Sequence, residues 1–238
     1  FDRTRSIKLG FAKGENILAI IRNTAGTDSA VLVPSTVAAL LLSAKEDGAE
    51  AELWCSENNE AYSVGANKDI WKDIPRFSGA AARERLLALN GALPRDGKRH
   101  LVVLLDVCQF IETISDPPGN AADCKILANA LDSLIAKAPY NGWHFVVQIN
   151  DYADLGQLQS LSGSMKSLPS YSVSGYKHLL TGQLTGANKN INIPFMEMRA
   201  NLTGGLLFYS ADNLSVIYNP FDFDLRRERY IPIDSVDR

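Results

Sequence analysis

The chain has 238 residues, of which 46% are hydrophobic and 21% are charged, so it can bury one sizeable core and does not need two domains. Its formal net charge of −3 indicates no excess of basic residues for binding a nucleic-acid backbone. We therefore expect one globular unit, and we expect direct DNA binding by this chain to be less favoured than binding to other proteins.

The cysteines and apolar runs indicate a cytoplasmic setting. The three cysteines form no C-x-x-C pair, and the chain has no secretory signal, which favours a reducing compartment. No apolar run approaches the roughly 20 residues of a membrane span. Because the chain starts at Phe1 rather than Met, we expect a domain of a longer protein. A membrane anchor elsewhere in that protein would place the domain at the cytoplasmic face of the membrane.

Short apolar runs alternate with helix-like segments, the pattern of a mainly parallel sheet between helices. The run RHLVVLLDV is continuous in valine and leucine, as in a central strand buried on both faces. Near the end, GGLLFYSADNLSVIYNP predicts a β-hairpin with Ala211, Asp212 and Asn213 at its turn. In chain order we predict strands at 16–21, 49–55, 99–107 and 143–150, helices at 27–45, 80–93 and 121–138 (the last with Ile126 in its apolar stripe), a loop at 158–176, the hairpin at 204–220 and a charged tail.

The stretch NILAIIRNTAGTDSAVLV has the order of strand, small-residue turn and helix at which α/β proteins hold phosphate. A working phosphate loop reads G-x-x-x-x-G-K-[ST], in which the glycines free backbone N–H groups and the lysine neutralises phosphate. With Ser29 as the hydroxyl, Arg22 and Thr27 take the glycine positions and Asp28 takes the lysine position. Only the hydroxyl position matches.

Asp28 gives this loop a negative charge, which repels phosphate. Two like charges about 4 Å apart repel by about 4 kcal/mol at an effective dielectric constant near 20, whereas a helix N-terminus attracts an anion by roughly 0.3–2 kcal/mol. We expect Asp28 to cap the helix, and residual nucleotide binding is the alternative. The candidate nucleotide-binding residues, as relics of an ancestral site, are Thr24, Ala25, Gly26, Thr27, Asp28, Ser29, Asp106 and Asn150.

A second altered position follows the strand RHLVVLLDV. P-loop ATPases end this strand in an acidic pair, one carboxylate for magnesium and the next for activating water. Here Asp106 stands at the first place and Val107, which cannot take a proton, at the second. Asp106 is expected to cap a neighbouring loop, with a vestigial metal contact as the alternative. Gln148 and Asn150 lie where such enzymes carry a sensor for the γ-phosphate, and we expect them to hydrogen-bond strand ends instead.

Other patterns give no catalytic or metal site. The three histidines have no H-x-x-x-H or H-E-x-x-H spacing, and no G-x-S-x-G elbow exists. Arg226, Arg227 and Arg229 form a basic cluster beside Tyr230. We interpret it as part of a solvated tail, and the alternative is a connector that docks on a neighbouring module or contacts nucleic acid.

Taken in order, these segments resemble the FtsK/SpoIIIE family of motor ATPases, and specifically its degenerate modules. KGENILAIIRNTAGTDSAVLV is similar to the family's strand, phosphate loop and first helix, and RHLVVLLDVCQF to its Walker B strand. LIAKAPYNGWHFVVQIND is similar to the stretch leading into the sensor strand, and TGGLLFYSADNLSVIYNPF to the final hairpin. The diagnostic lysine and glutamate are absent.

The resemblance implies a RecA-like P-loop NTPase fold with a C-terminal β-hairpin. It divides the chain into a degenerate FtsK/SpoIIIE-like ATPase domain at 1–223 and a charged C-terminal tail at 224–238. Motors of this kind carry several modules in series, as in type VII secretion ATPases and DNA translocases, and some modules serve assembly, regulation or cargo recognition.

Asp28 and Val107 depart from the family's lysine and glutamate, as expected of a module that serves assembly, regulation or cargo recognition. We therefore expect a bacterial pseudo-ATPase module without catalytic residues, metal or cofactor. The alternative is an ATP-binding module, with or without Mg²⁺, that hydrolyses weakly or not at all and completes a site on a neighbouring module. The implied partners are other ATPase modules of the same or neighbouring subunits, in an oligomer, and a secreted protein substrate.

Overall fold

The structure is a computed structural model that describes residues 16–20, 37, 40–59, 73–150 and 154, and the backbone of five later strands. Ten strands are present in this part of the chain. Their bounds are β1 Ile17–Ile20, β2 Glu50–Trp54, β3 Arg76–Phe77, β4 His100–Leu104, β5 Trp143–Ile149, β6 His178–Thr181, β7 Leu206–Ser210, β8 Ser215–Tyr218, β9 Phe221–Asp224 and β10 Arg229–Pro232.

Eight of these strands form one sheet in the order β3-β2-β4-β5-β1-β6-β7-β8. The pairs from β3 to β6 are parallel, and β6, β7 and β8 pair antiparallel. The predicted mainly parallel sheet and its C-terminal hairpin are therefore confirmed. The turn of the hairpin lies outside the described residues.

β9 and β10 pair antiparallel as a separate two-stranded ribbon. The sequence pattern did not predict this pairing. Within the segment predicted as a charged tail, the structure describes Asp224 and residues 229–232. The domain boundary near residue 223 stays a prediction.

The helices cover the sheet. α1 includes residues 40–46, α2 is Gly79–Gly91, α3 is Val107–Ile114 and α4 is Ala121–Lys137, followed by the 3-10 helix Ala138–Asn141. Asn120 caps α4 by accepting hydrogen bonds from the backbone N–H groups of Ala122 (3.0 Å) and Asp123 (3.3 Å). Among the helices that the structure describes, none is long and apolar enough to cross a membrane.

The core lies between β2, β4 and β5 and the three helices α2, α3 and α4. Every residue of β4 and β5 is buried, as a continuous apolar run in a central parallel strand requires. The indole of Trp54 lies at the centre, with ring centroids 6.3 Å from Phe77, 6.0 Å from Phe110 and 6.1 Å from Phe145. Aromatic pairs at this separation stabilise a core beyond the area that they bury.

Two predictions about these elements were wrong. The predicted strand 99–107 ends at Leu104, and a helix that was not predicted begins at Val107. Ile126 is predicted to belong to the apolar stripe of α4 but is 61% exposed. An ion pair between Arg83 of α2 and Asp123 of α4 joins the two helices.

Candidate functional site at the carboxyl ends of β4 and β5

Asp106 forms the turn between β4 and α3. Its backbone has φ 46° and ψ 67°, the left-handed conformation, and it is the one non-glycine residue with positive φ in the described part of the chain. Aspartate tolerates this conformation better than most residues because its short polar side chain can hydrogen-bond locally. The Asp106 Oδ1 atom accepts a hydrogen bond from the Gln109 backbone N–H at 3.3 Å, which caps α3.

Two amide side chains, one at the end of β5 and one just after it, complete the turn. The Asp106 backbone N–H donates to Gln148 Oε1 at 2.7 Å, and Asn150 Nδ2 donates to Asp106 Oδ2 at 2.7 Å. Gln148 Nε2 also donates to Asn150 Oδ1 at 3.1 Å. The three side chains thus form one hydrogen-bonded set, in which Gln148 is only 2% exposed. The amides hydrogen-bond the ends of these strands, and both oxygens of Asp106 accept a bond.

Asp154 extends this set beyond β5. Its Oδ2 atom accepts a hydrogen bond from the Asn150 backbone N–H at 3.0 Å. Its backbone carbonyl accepts a weak bond from the thiol of Cys108 at 3.9 Å. We call Asp106, Gln148, Asn150 and Asp154 the strand-end cluster. No role is predicted for Asp154 from the sequence, although an acidic residue four positions after Asn150 is a signal for a local backbone contact.

Cys108 is the one nucleophile beside the strand-end cluster in the described part of the chain. Burial, together with the nearby carboxylates of Asp154 and Asp106, raises the pKa of its thiol to about 12. A thiol with such a pKa is protonated at neutral pH and reacts slowly. Cys108 is therefore a packing residue of α3.

Asp106 and Asp154 are the two carboxylates of the strand-end cluster. Mg²⁺ takes one or two carboxylates together with substrate phosphates and several waters. Asp106 is already hydrogen-bonded through both oxygens, and Val107 is 0% exposed, so the position after Asp106 contributes only to the core. Among the described residues, no group of three or more His, Cys, Asp or Glu side chains is arranged to hold a metal ion.

The remaining candidate residues lie on the loop after β1. Thr24, Ala25, Gly26, Thr27, Asp28 and Ser29 are all outside the described residues. The strand that leads to them is described, and in its pairing with β5 Ile20 is opposite Ile149. β1 and β5 are parallel, so β1 ends at the same edge of the sheet as the strand-end cluster. That edge is where open α/β sheets bind their ligands.

Comparison with solved structures shows the fold. The chain is similar to TcpA, the pCW3 conjugation coupling protein, in a monomer form with ATPγS, with a TM-score of 0.56 and 14% identity over 94% of this chain and 65% of that one. It is also similar to B204, the DNA-packaging ATPase of Sulfolobus Turreted Icosahedral Virus, with a TM-score of 0.52 and 10% identity over 87% and 98% of the two chains.

A third similar structure is EssC (ATPases 2 and 3) from Geobacillus thermodenitrificans, with a TM-score of 0.51 and 11% identity over 94% of this chain and 41% of that one. The chain thus spans about two thirds of the TcpA structure and less than half of the EssC structure. No protein-family model matches the chain, and no curated protein sequence matches it significantly. The similar structures are FtsK/SpoIIIE-type ATPases, and this chain has their RecA-like P-loop ATPase fold.

Proposed function

We propose that this chain is a pseudo-ATPase module of a motor protein, one that keeps the ATPase fold without hydrolysing ATP. The observation that carries the proposal is the burial of Val107 at the place of the catalytic glutamate. Val107 is the first residue of α3 and packs in the core, so no carboxylate follows Asp106 to activate water.

The polar residues at the same place support the proposal. In an ATPase of this fold, the carboxylate at the end of the strand serves magnesium and a polar side chain from the next strand serves the γ-phosphate. Here Asp106 caps α3, and Asn150 is bonded to Asp106. Asp28, at the lysine position of the phosphate loop, adds repulsion toward phosphate.

The role of such a module is assembly, regulation or cargo recognition beside active ATPase modules. EssC contains more than one ATPase module, B204 packages DNA and TcpA is a conjugation coupling protein, and each of these is a setting in which the module would contact neighbouring modules. The net charge of −3 favours contact with protein, such as a secreted substrate, over direct contact with DNA.

ATP hydrolysis tests the proposal. We expect phosphate release by the chain with Mg²⁺ and ATP to equal that of a protein-free control. Asp106→Asn is the matched variant because it removes the charge and leaves an oxygen and an amide in place. Mg²⁺-dependent release by the natural chain that Asp106→Asn abolishes would show an active ATPase and contradict the proposal.

A second experiment tests whether the charge or the shape of the phosphate loop prevents ATP binding. Asp28→Lys with Thr27→Gly restores the lysine and a glycine of the phosphate loop, and Asp28→Ala with Thr27→Gly removes the repulsion without adding a cation. ATP binding by the first pair alone shows that charge was the barrier, and no binding by either pair shows that the loop shape differs as well. ATP binding by the natural chain without hydrolysis would support the alternative, a nucleotide-binding module that completes a neighbour's site.

A further inference from the structure

The strand-end cluster joins three separate pieces of backbone. Asp106 belongs to the turn before α3, Gln148 and Asn150 to the end of β5, and Asp154 to the chain beyond β5. The bonds between them involve one oxygen of Asp106, both polar atoms of the Asn150 side chain and both polar atoms of the Gln148 side chain. The other oxygen of Asp106 accepts from the Gln109 backbone N–H. A half-buried set bonded in this way rigidifies the part of the fold that it joins.

Neutral donors stabilise the charge of Asp106. The Asp106 carboxylate is stabilised by two N–H donors, one from the α3 backbone at 3.3 Å and one from the Asn150 amide at 2.7 Å. It also lies at the N-terminus of α3, where the helix dipole favours negative charge. The 2.7 Å contact places a neutral donor directly against the oxygen that a metal ion would otherwise approach.

From this geometry we propose that the Asn150 amide, by donating to Asp106 Oδ2, orders this edge of the sheet without a divalent cation. Asn150 is a positioning residue in this arrangement: it fixes the carboxylate of Asp106, which in turn caps α3. The inference rests on the proposed function, because a module that does not use ATP needs this edge to be ordered when no nucleotide is bound.

The decisive variant is Asn150→Asp. It keeps the oxygen that accepts from Gln148 Nε2 and replaces the donor with a second carboxylate oxygen beside Asp106 Oδ2. Two carboxylates in contact repel, and a divalent cation between them relieves the repulsion. Asn150→Ala is the matched control, because it removes the donor and adds no ligand for a cation.

The measurement is the melting temperature, taken without nucleotide, in a chelator and in Mg²⁺ at equal ionic strength. We expect the natural chain to melt at the same temperature in both. Asn150→Asp should melt about 5 °C lower in the chelator and recover most of this loss in Mg²⁺, whereas Asn150→Ala should melt lower in both.

Two results would overturn the inference. One is a natural chain that melts higher in Mg²⁺ than in the chelator, since the cation would then belong to its cluster. The other is an Asn150→Asp variant as stable as the natural chain in the chelator, since the amide would then not be needed beside Asp106. If Asn150→Asp does not fold, Asn150→Ala decides the question, because an Asn150→Ala variant as stable as the natural chain in both solutions would also overturn the inference. Because no nucleotide is present, these outcomes are independent of the hydrolysis assay.

Discussion

Arg85→Met is expected to lower the free energy of unfolding by about 3 kcal/mol, because it leaves the Glu52 carboxylate buried without its cation. The Glu52 side chain is 8% exposed and is paired with the Arg85 guanidinium, which is 31% exposed. We expect the lower end of the usual range for a broken buried pair because water reaches Arg85. Urea denaturation of the two proteins gives the difference directly.

The surroundings of this pair add to the expected loss. The Arg85 guanidinium carbon lies 5.5 Å from the ring centroids of both Phe77 and Trp143. Glu52 also accepts a hydrogen bond from Trp54 Nε1 at 2.9 Å. Methionine replaces the apolar stem of the arginine and removes its charge, so the measured change isolates the electrostatic part of the contact.

Glu52→Gln is the matched control for Arg85→Met. It removes the charge and keeps an acceptor for the Trp54 indole, so we expect a loss of about 1 kcal/mol. In the Glu52→Gln background Arg85→Met should cost clearly less than it does in the natural chain. An equal cost in both backgrounds would show that the buried pair contributes no coupling.

Asp106→Ala is expected to destabilise the chain by about 2–3 kcal/mol, through loss of the α3 cap and the strain of alanine in the left-handed conformation. Asp106→Gly loses the same cap but accepts a positive φ without that strain. We therefore expect the glycine variant to be more stable than the alanine variant by about 1 kcal/mol.

This order of stability is the reverse of the one found inside helices, where glycine is less stable than alanine by about 1 kcal/mol. Thermal or urea denaturation of the two variants side by side measures it. Asp106→Asn, which tolerates the left-handed conformation and keeps an acceptor for the Gln109 N–H, should be the most stable of the three. An alanine variant more stable than the glycine variant would contradict the backbone conformation of Asp106.

The main strands were predictable because burial and continuity act together in a parallel sheet. The runs that become β1, β4 and β5 are short and mostly apolar, β2 mixes apolar residues with two glutamates, and the structure places a strand in each. Their order in the sheet is not visible in the runs themselves. It depends on the crossover connections, which the hydrophobic pattern does not specify.

α3 was missed because apolar runs are ambiguous. LVVLLDVCQFIETI continues the run of β4 without a glycine or proline, so the break at Asp106 is hidden. The residues after Asp106 carry a helical signal, because the buried residues of α3 recur with helical spacing: Val107, Cys108, Phe110, Ile111 and Ile114. Ile126 shows the opposite error, since one apolar residue beside a stripe was counted as part of it.

The position of the candidate site in the fold was predictable from the sequence, but the hydrogen bonds between its residues were not. The sequence put Asp106, Gln148 and Asn150 at the ends of two central strands, and carboxyl ends of parallel strands meet at one edge. Which amide donates to which oxygen depends on the side-to-side pairing of β4 and β5 and on the backbone turn at Asp106. Neither is encoded in a local pattern. Asp154 differs, because its bond to the backbone N–H of Asn150, four residues earlier, could be inferred from spacing alone.

The central claim is that the chain keeps the ATPase fold and does not respond to ATP, and its melting temperature during an ATP titration with and without Mg²⁺ tests this most directly. A ligand at 100 times its dissociation constant would add about 2.7 kcal/mol, a rise of roughly 5–10 °C for a chain of this size. Tripolyphosphate at equal ionic strength controls for general anion effects. We predict no shift with ATP beyond that control, and a saturable rise specific to ATP would contradict the account.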